Sequence, residues 1–240
     1  MPPFVSVLTP TNNRRFFLEQ LLRNYAQQDY PAARRELLVL DDGSDRVEDV
    51  FSTVAGVRYV RSETVDPIGK KRNRMIDMAR GDVLVHMDDD DYYPPARISS
   101  AVSALGKSGL QLAGASRMFV MRAGETEVAS VGPYGAYHAT GNTFAYTKAY
   151  AERNRYLDEA RFAEEVFFTA EYTNPMVQLP ALSTVLAIAH TRNTVPKGHI
   201  TFAPARERFK DLVKEPLARE FYRVKLPAFL AAHPRSLVIA

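Results

Sequence analysis

The first ninety residues alternate between short apolar runs and segments with a helical pattern. Four apolar runs predict buried β-strands, at 5–8, 37–40, 57–60 and 83–87. Apolar residues recur at helical spacing in two segments between them, 14–28 and 68–79, and Gly81 suits the end of the second. This order predicts an α/β fold with a doubly wound, mostly parallel sheet flanked by helices.

The pattern is less regular beyond residue 95. It predicts helices at 98–105 and 163–172, strands at 112–121, 143–146 and 184–190, and a loop rich in glycine and tyrosine at 132–142. The tail has helical spacing and mixed charge, and no internal repeat or low-complexity linker divides the chain. We therefore expect a single domain with two halves, 1–98 and 99–205, followed by a helical tail at 206–240.

Polar residues follow three of the predicted strands directly. The first strand leads into TPTNN at 9–13, the second ends at Asp41-Asp42, and the fourth ends in four aspartates at 88–91. The carboxyl ends of parallel strands meet at one edge of a sheet, where ligands of such folds bind. We therefore expect the three clusters to form one site.

The aspartate run, Asp88 to Asp91, is the strongest single indication of chemistry. The preceding strand fixes four adjacent carboxylates at the sheet edge, although they repel one another. Mg²⁺ and Mn²⁺ prefer oxygen ligands, and one or two carboxylates with substrate phosphates are a common set. The run predicts a magnesium or manganese site, and the simpler alternative is a solvated acidic turn.

Other ligand-binding motifs fit poorly. An EF-hand would place a glycine where residues 92–95 read YYPP, and a dinucleotide fold would place glycines at 9–14, where none stands. Residues 101–108 (AVSALGKS) lack the first glycine of a P-loop.

Composition narrows the class of partner further. A net charge of +3 with a pI near 9.0 does not argue for nucleic-acid binding at this length. The sequence has no cysteine, which excludes disulfides and a cysteine nucleophile. With no signal-like start and no long apolar run, we expect a cytoplasmic protein without a transmembrane segment. The basic and apolar tail leaves peripheral membrane contact open.

Five segments together resemble the inverting glycosyltransferases of family 2, which have the GT-A fold. They are VSVLTPTNNR at 5–14, LLVLDDGSD at 37–45, the stretch from GKKRN to PPARI at 69–98, AEEVFF at 163–168 and HTRNT at 190–194. The resemblance implies sugar transfer from a nucleoside diphosphate sugar, with UDP as the expected nucleotide, to an acceptor hydroxyl on a glycan, lipid-linked glycan or protein. It implies Mn²⁺ or Mg²⁺ as cofactor, with 1–98 binding the nucleotide sugar and 99–205 the acceptor.

The same resemblance assigns residues to the nucleoside. Thr9 and Thr11 would line its pocket, and Asp42 would accept a hydrogen bond from the base. Asp41 and Asp42 also suit a simple turn before Gly43. Arg72 would reach the base or the phosphates, since a guanidinium suits both. Its basic neighbours are expected on a solvated helix face: Lys70, Lys71 and Arg74.

Within the aspartate run, the resemblance places Asp88 on the ribose and Asp90 on the metal. Asp89 would contact the ribose or the metal, and Asp91 could instead cap the following turn. His190 would complete the metal shell or contact the phosphates, although a lone histidine is often structural.

Glu164 and Glu165 align with the acidic pair that supplies the family's general base, and Glu165 is the preferred base. The family usually has aspartate at the second position, and two acids near a helix start also complement the helix dipole. His86 is expected in the core or behind the site. The loop at 134–142 could line the acceptor site or serve only in packing.

Two other functions remain open from the sequence. A nucleotidyltransferase of related fold would release pyrophosphate, but it normally carries a glycine-rich basic loop where this chain has TPTNNRR. A catalytically silent nucleotide-sugar-binding module would bind the donor and transfer nothing to any acceptor.

Overall fold

The computed structural model describes residues 1–193 and 203–234. Four strands and three helices make up the first part of the chain. In chain order they are β1 (Val5–Thr11), α1 (Arg15–Ala26), β2 (Arg35–Asp41), α2 (Glu48–Phe51), β3 (Val57–Arg61), α3 (Ile68–Met78) and β4 (Val83–His86).

The second part has shorter elements. They are α4 (Arg97–Ser108), β5 (Leu112–Gly114), β6 (Met118–Arg122), β7 (Val128–Val131), β8 (Ala145–Thr147), α5 (Lys148–Arg153), α6 (Glu165–Phe168), β9 (Val177–Gln178), β10 (Leu186–Ala189) and β11 (Ala203–Pro204). The tail forms α7 (Phe209–Leu212), α8 (Pro216–Glu220), a π-helical turn (Phe221–Lys225) and α9 (Leu226–Ala232).

A seven-stranded sheet has the order β3-β2-β1-β4-β8-β5-β9. Its first four strands are parallel, and β8 runs antiparallel to β4 and β5. A second sheet of four strands has the order β10-β6-β7-β11. The large, mostly parallel sheet flanked by helices confirms the predicted fold class.

The parallel strands are buried on both faces, which explains their continuous apolar runs. Alternate residues belong to different clusters, because successive side chains of a strand point to opposite faces. Leu37 and Val39 pack with Leu18 of α1, whereas Leu38 packs with Ile76 of α3. The helices therefore cover both faces and leave the carboxyl ends of the strands for the site.

One predicted strand, 112–121, is wrong as a single element, because β5 lies in the large sheet and β6 in the small one. Ser116 between them explains the break. Its Oγ accepts hydrogen bonds from the backbone N–H groups of Tyr134 and Gly135, at 2.7 and 3.1 Å. Its own N–H donates to Gln178 Oε1 at 2.8 Å. These hydrogen bonds replace the backbone hydrogen bonds to a neighbouring strand that a continuous strand would make at this position.

The predicted helix at 163–172 is also much shorter than expected. Only Glu165–Phe168 is helical, because left-handed backbone flanks it on both sides. Ala163 has φ 51°, and Ala170, Glu171 and Tyr172 have φ 49°, 55° and 60°. A right-handed helix cannot continue through these residues.

The tail packs against the main domain. Phe209, Tyr222 and Leu226 are buried in one cluster with Phe17 of α1 and Phe119 of β6. Within the described ranges, none of the helices has both the length and the hydropathy that crossing a membrane requires.

Candidate active site

The ends of β1 and β4 are tied together by two threonine side chains. Thr9 Oγ1 donates to the carbonyl of Met87 at 2.6 Å, and Thr11 Oγ1 donates to Asp89 Oδ2 at 2.7 Å. Both threonines are buried. The predicted meeting of polar clusters at one edge of the sheet is therefore present, and both hydroxyls already have acceptors.

Asp42 lies at the end of β2 in a pocket of donors. Its Oδ1 accepts hydrogen bonds from Lys71 Nζ at 2.6 Å and Asn12 Nδ2 at 2.7 Å, and its Oδ2 accepts one from the Asp66 N–H at 3.1 Å. Asp41 instead accepts from the Gly43 N–H at 2.8 Å, which is a turn-forming bond. The two aspartates thus have different roles.

The expectation that Lys71 is solvated is wrong. Lys71 is buried in the first turn of α3, which faces the sheet edge, and its Nζ contacts Asp42 and the Thr11 carbonyl. Lys70 is half exposed, and Arg74 pairs with Asp66 away from Asp42. One strong ion pair therefore fixes α3 against the end of β2.

Arg72 joins the aspartate run to the acidic pair. Its Nη2 lies 3.5 Å from Asp88 Oδ1, and its Nε donates to Glu164 Oε1 at 2.9 Å. Burial disfavours the charge, but Glu164 and Asp88 outweigh burial and raise the pKa of Arg72. Its Nη1 is buried and has no hydrogen-bond partner among the described residues. An unsatisfied cationic donor at this position suits an anionic ligand.

Neighbouring cations only partly neutralise the negative charges of the aspartate run. Burial raises the pKa of Asp89 to about 7, with Arg14 opposing and Asp90 adding to the shift. Burial likewise raises the pKa of Asp88, against the influence of Arg72. Carboxylates whose charge is disfavoured gain from a nearby cation, so this donor set fits Mg²⁺ or Mn²⁺.

Asp90 receives three donors on one oxygen. Its Oδ2 lies 3.0 Å from Arg14 Nη1, 3.2 Å from His190 Nε2 and 3.3 Å from Asn193 Nδ2. The Arg192 N–H donates to His190 Nδ1 at 3.1 Å, and Nε2 faces Asp90 with Asn193 Nδ2 also 3.2 Å from it. Metal ligand and phosphate contact both stay predictions for His190.

In the described part of the chain, no three His, Asp or Glu side chains form a ready-made metal cage. Arg14 and Asn193 were not singled out from the sequence, although both lie in the quoted segments TPTNNR and HTRNT. Thr194 of the second segment lies outside the described residues.

Asp91 is a structural residue. Its Oδ1 accepts from the Ile188 N–H of β10 and its Oδ2 from Asn142 Nδ2, both at 2.8 Å. Its carbonyl accepts from Asn24 Nδ2 and from the hydroxyl of Tyr222, again at 2.8 Å. These bonds link the run to α1, β10, the 132–142 loop and the tail.

Glu164 and Glu165 differ in their partners. Glu164 is held by Arg72, whereas Glu165 has no ion-pair partner among residues 1–193 and 203–234. Burial and the neighbouring Glu164 raise the pKa of Glu165. A carboxylate that is unpaired and made more basic is better suited to accept a proton, so the geometry favours Glu165.

His86 is buried behind the aspartate run. Its Nδ1 lies 2.7 Å from the Gly141 carbonyl, which can only accept, so its Nε2 accepts from the Tyr146 hydroxyl at 3.0 Å. Burial and Arg72 lower its pKa far below the usual value, which keeps the ring neutral. His86 thus lies in the core, as expected.

The fold and this edge of the sheet define an α/β protein with a carboxylate-rich site at the ends of its parallel strands. A model described as Glycosyl transferase family 2 matches residues 6–160, and the chain belongs to that family.

Two curated relatives match part of the chain. The poly(ribitol-phosphate) beta-N-acetylglucosaminyltransferase TarS of Staphylococcus aureus is 28% identical over 103 residues, which is 41% of this chain and 18% of TarS. The GalNAc(5)-diNAcBac-PP-undecaprenol beta-1,3-glucosyltransferase of Campylobacter jejuni is 31% identical over 112 residues, 43% of this chain and 33% of the relative. The matches thus span only a fifth to a third of these relatives.

Solved structures share the fold. A TarS fragment in complex with UDP-GlcNAc superposes with a TM-score of 0.65 at 20% identity, covering 80% of this chain and 60% of the fragment. The mannosyltransferase PcManGT of Pyrobaculum calidifontis, in complex with GDP-Man and Mn²⁺, gives 0.61 at 17% identity, covering 83% and 59%.

Proposed function

We propose that this protein is a metal-dependent inverting glycosyltransferase that moves a sugar from a UDP-linked donor to an acceptor hydroxyl. One observation carries the proposal. The side chains of Asp88, Asp90 and Arg72 meet at one sheet edge beside Glu165, a carboxylate with a raised pKa. This arrangement supplies a place for the diphosphate and a base for the acceptor.

The nucleoside would lie between the ends of β1 and β2. Asp42 is positioned by Lys71 and Asn12, and a carboxylate held in this way can accept the imide N–H of uracil. Asp88 at the end of β4 would accept hydrogen bonds from the ribose hydroxyls. Arg72, with its unsatisfied Nη1, would donate to the phosphates.

Asp90 is the side chain that would hold the metal ion, with Asp89 beside it. When bound, the cation would neutralise charge on the departing diphosphate as a Lewis acid. His190 and Asn193 donate to Asp90 Oδ2 and orient it, and such supporting bonds commonly tune a metal ligand. The role of His190 as a metal ligand stays a prediction.

Glu165 would take the proton from the acceptor hydroxyl as the oxygen attacks the anomeric carbon. Attack on the face opposite the leaving nucleoside diphosphate inverts that centre. The new bond joins the acceptor oxygen to the anomeric carbon, and the bond to the diphosphate oxygen breaks. Arg72 holds Glu164 and leaves Glu165 as the base.

One screen can test which nucleobase the donor carries and whether a metal ion is required. Melting temperature would be measured with UDP-glucose, UDP-GlcNAc, UDP-galactose and GDP-mannose, each with Mn²⁺, Mg²⁺ or EDTA. Binding to the native state raises stability by RT ln(1 + [L]/Kd), so UDP sugars with metal should raise the melting temperature most. A shift with GDP-mannose alone would overturn the uracil assignment, and equal shifts in EDTA would overturn the metal requirement.

Product analysis distinguishes glycosyl transfer from nucleotidyl transfer. Incubation of the best donor with a panel of acceptors should release UDP. Incubation with UTP and the matching sugar 1-phosphate should leave pyrophosphate at background level, and release of pyrophosphate there would identify a nucleotidyltransferase instead. NMR of the product should show the anomeric configuration opposite to that of the donor, and a retained configuration would contradict the inverting mechanism.

A further inference from the structure

A cavity of about 640 Å³ opens beside the loop at 132–142, away from the aspartate run. Its lining combines aromatic, aliphatic and charged side chains, including Arg117, Phe119, Tyr134, Gln178, Leu182 and Glu207. No role in the proposed transfer uses these residues. Ligand sites are commonly concave and apolar with a few placed polar groups, which is the composition seen here.

The charged groups of this cavity are not ion-paired in the part of the chain that the structure describes. Neither Arg117 nor Glu207 forms an ion pair within residues 1–193 and 203–234, although the Arg117 guanidinium lies 5.8 Å from the centre of the Phe119 ring. Glu207 Oε2 is buried and accepts no hydrogen bond from any described residue. A buried acceptor without a donor is costly, so a ligand that brings hydroxyl donors would be stabilised there.

The apolar groups of the cavity are unusually exposed for their size. Tyr134 is 54% exposed and Leu182 is 61% exposed. A sugar ring has flat C–H faces that pack on aromatic and aliphatic surfaces, and hydroxyl edges that donate to carboxylates. Tyr134 and Glu207 offer these two kinds of contact in one cavity.

An aromatic column leads from the cavity to the candidate base. The rings of Tyr134 and His138 lie 4.7 Å apart, and the ring of His138 stacks on Tyr172 at 4.4 Å. The Tyr172 N–H donates to Thr169 Oγ1 at 3.1 Å, and Thr169 Oγ1 donates to the Glu165 carbonyl at 2.8 Å. Tyr172 is therefore tied to the turn that carries the acidic pair, and Tyr134 lies in the cavity.

The loop that carries Tyr134 and His138 is held rigidly. Ser116 Oγ binds the N–H groups of Tyr134 and Gly135, and Gln178 Nε2 donates to the carbonyls of Ala136 and His138 at 2.7 and 3.1 Å. A surface fixed in advance loses little entropy when it binds a ligand.

The backbone at Tyr172 is strained. Ala170, Glu171 and Tyr172 all have positive φ, and left-handed backbone is unfavourable for a non-glycine residue. Strain of this kind is commonly stored at functional sites. Here it places Tyr172 against His138 and next to the acidic pair.

We infer that this cavity binds the sugar units of an oligosaccharide acceptor that precede its reacting hydroxyl. This inference rests on the proposed function, because it takes Glu165 as the base at one end of the column. The acceptor is then a chain of at least two sugars that runs from Glu165 past Tyr172 to Tyr134. Arg117 and Glu207 contact the hydroxyls of the unit in the cavity.

Binding to a printed array of defined oligosaccharides of one to six units tests the inference. The wild-type protein, saturated with UDP and Mn²⁺, should bind at least one oligosaccharide series at least tenfold better than its monosaccharide. Tyr134→Ala should weaken that binding at least fivefold, and Glu207→Gln should weaken it as well. Tyr137→Ala is the matched control, because Tyr137 is 43% exposed on the same loop and does not line the cavity.

Three results would overturn the inference: no binding to any oligosaccharide, equal binding of mono- and oligosaccharides, or equal effects of Tyr134→Ala and Tyr137→Ala. The melting-temperature screen detects failure of the proposed function independently of the array. Nucleotide-sugar binding in the melting-temperature screen does not involve the cavity, so Tyr134→Ala should leave those shifts unchanged. If no nucleotide sugar shifts the wild-type protein, the proposed function fails whatever the array shows.

Discussion

Arg14 and Asp90 form a salt bridge of 3.0 Å between Nη1 and Oδ2, at the carboxylate proposed to bind the metal. Burial opposes the charge on Arg14, but Asp89, Asp90 and Asp88 together raise its pKa. The guanidinium therefore supplies positive charge to the aspartate run in the free protein. A cation that binds Asp90 would compete with Arg14 for the charge of this carboxylate.

Arg14→Gln should therefore strengthen binding of Mn²⁺ alone. Loss of a partly buried competing charge is expected to lower the dissociation constant roughly three- to tenfold, a change of about 0.6–1.4 kcal/mol. Isothermal titration with MnCl₂ would measure it. Arg15→Gln is the control, because Arg15 pairs with Asp45 and Asp49 instead. Weaker Mn²⁺ binding in Arg14→Gln would contradict the competition.

Asp90→Asn and Asp91→Asn should have opposite effects, although the residues are adjacent. Asp90→Asn should weaken Mn²⁺ binding in the presence of UDP at least tenfold and abolish transfer, as EDTA should in the wild-type protein. Asp91→Asn should instead lower the free energy of unfolding by about 1–3 kcal/mol, because an amide cannot accept from both Ile188 and Asn142. Titration calorimetry and urea denaturation separate the two effects. Similar metal affinities for both variants would refute these roles.

Glu165→Gln should reduce kcat by about 10²–10⁴-fold with little change in donor affinity. The base must be deprotonated, and the pKa of Glu165 is raised above its ordinary value of 4.5. As the pH is lowered, the wild-type enzyme should therefore lose activity earlier, at a higher pH, than it would if the base were a glutamate with an ordinary pKa. The pH profile of kcat/KM measures this acidic limb. Glu152→Gln, on an exposed glutamate of α5, should leave rate and profile unchanged. If the residual activity of Glu165→Gln falls at low pH in the same way as the wild-type activity, Glu165 is not the group whose protonation causes the fall.

Lys71→Met should destabilise the protein by about 3 kcal/mol, because it leaves the buried carboxylate of Asp42 without its cation. Lys70→Met should change the free energy of unfolding by less than about 0.5 kcal/mol, since Lys70 is half exposed and Arg74 also pairs with its partner Asp66. Urea denaturation of the two variants provides the comparison. Equal losses would show that burial of the Lys71–Asp42 pair does not matter.

Much of the large sheet could be predicted because its strands are buried on both faces. Continuous apolar runs at β1, β2 and β4 are a strong signal, and the polar residues at their ends mark the site. Periodicity also located α1, α3 and α4 to within a few residues. These elements depend on patterns that are local in the sequence.

The remaining errors come from contacts between distant residues. Lys71 was expected in solvent, because nothing nearby in the sequence reveals that Asp42, 29 residues away, is its partner. Residues 112–121 look like one strand, yet Ser116 binds the loop at 134–135 and divides it. The left-handed residues at 170–172 carry no glycine, so composition gives no warning of the helix end.

The contacts of Asp91 bear on how far the chain must extend to keep the site intact. The segment that matches the family stops at residue 160, but the carbonyl of Asp91 is held by the hydroxyl of Tyr222, which is fully buried. A truncation after residue 205 would preserve the whole family signature and remove that bond along with the cover over Phe17. A piece of the chain that keeps this hydrogen bond to Asp91 therefore extends beyond Tyr222, well past residue 160.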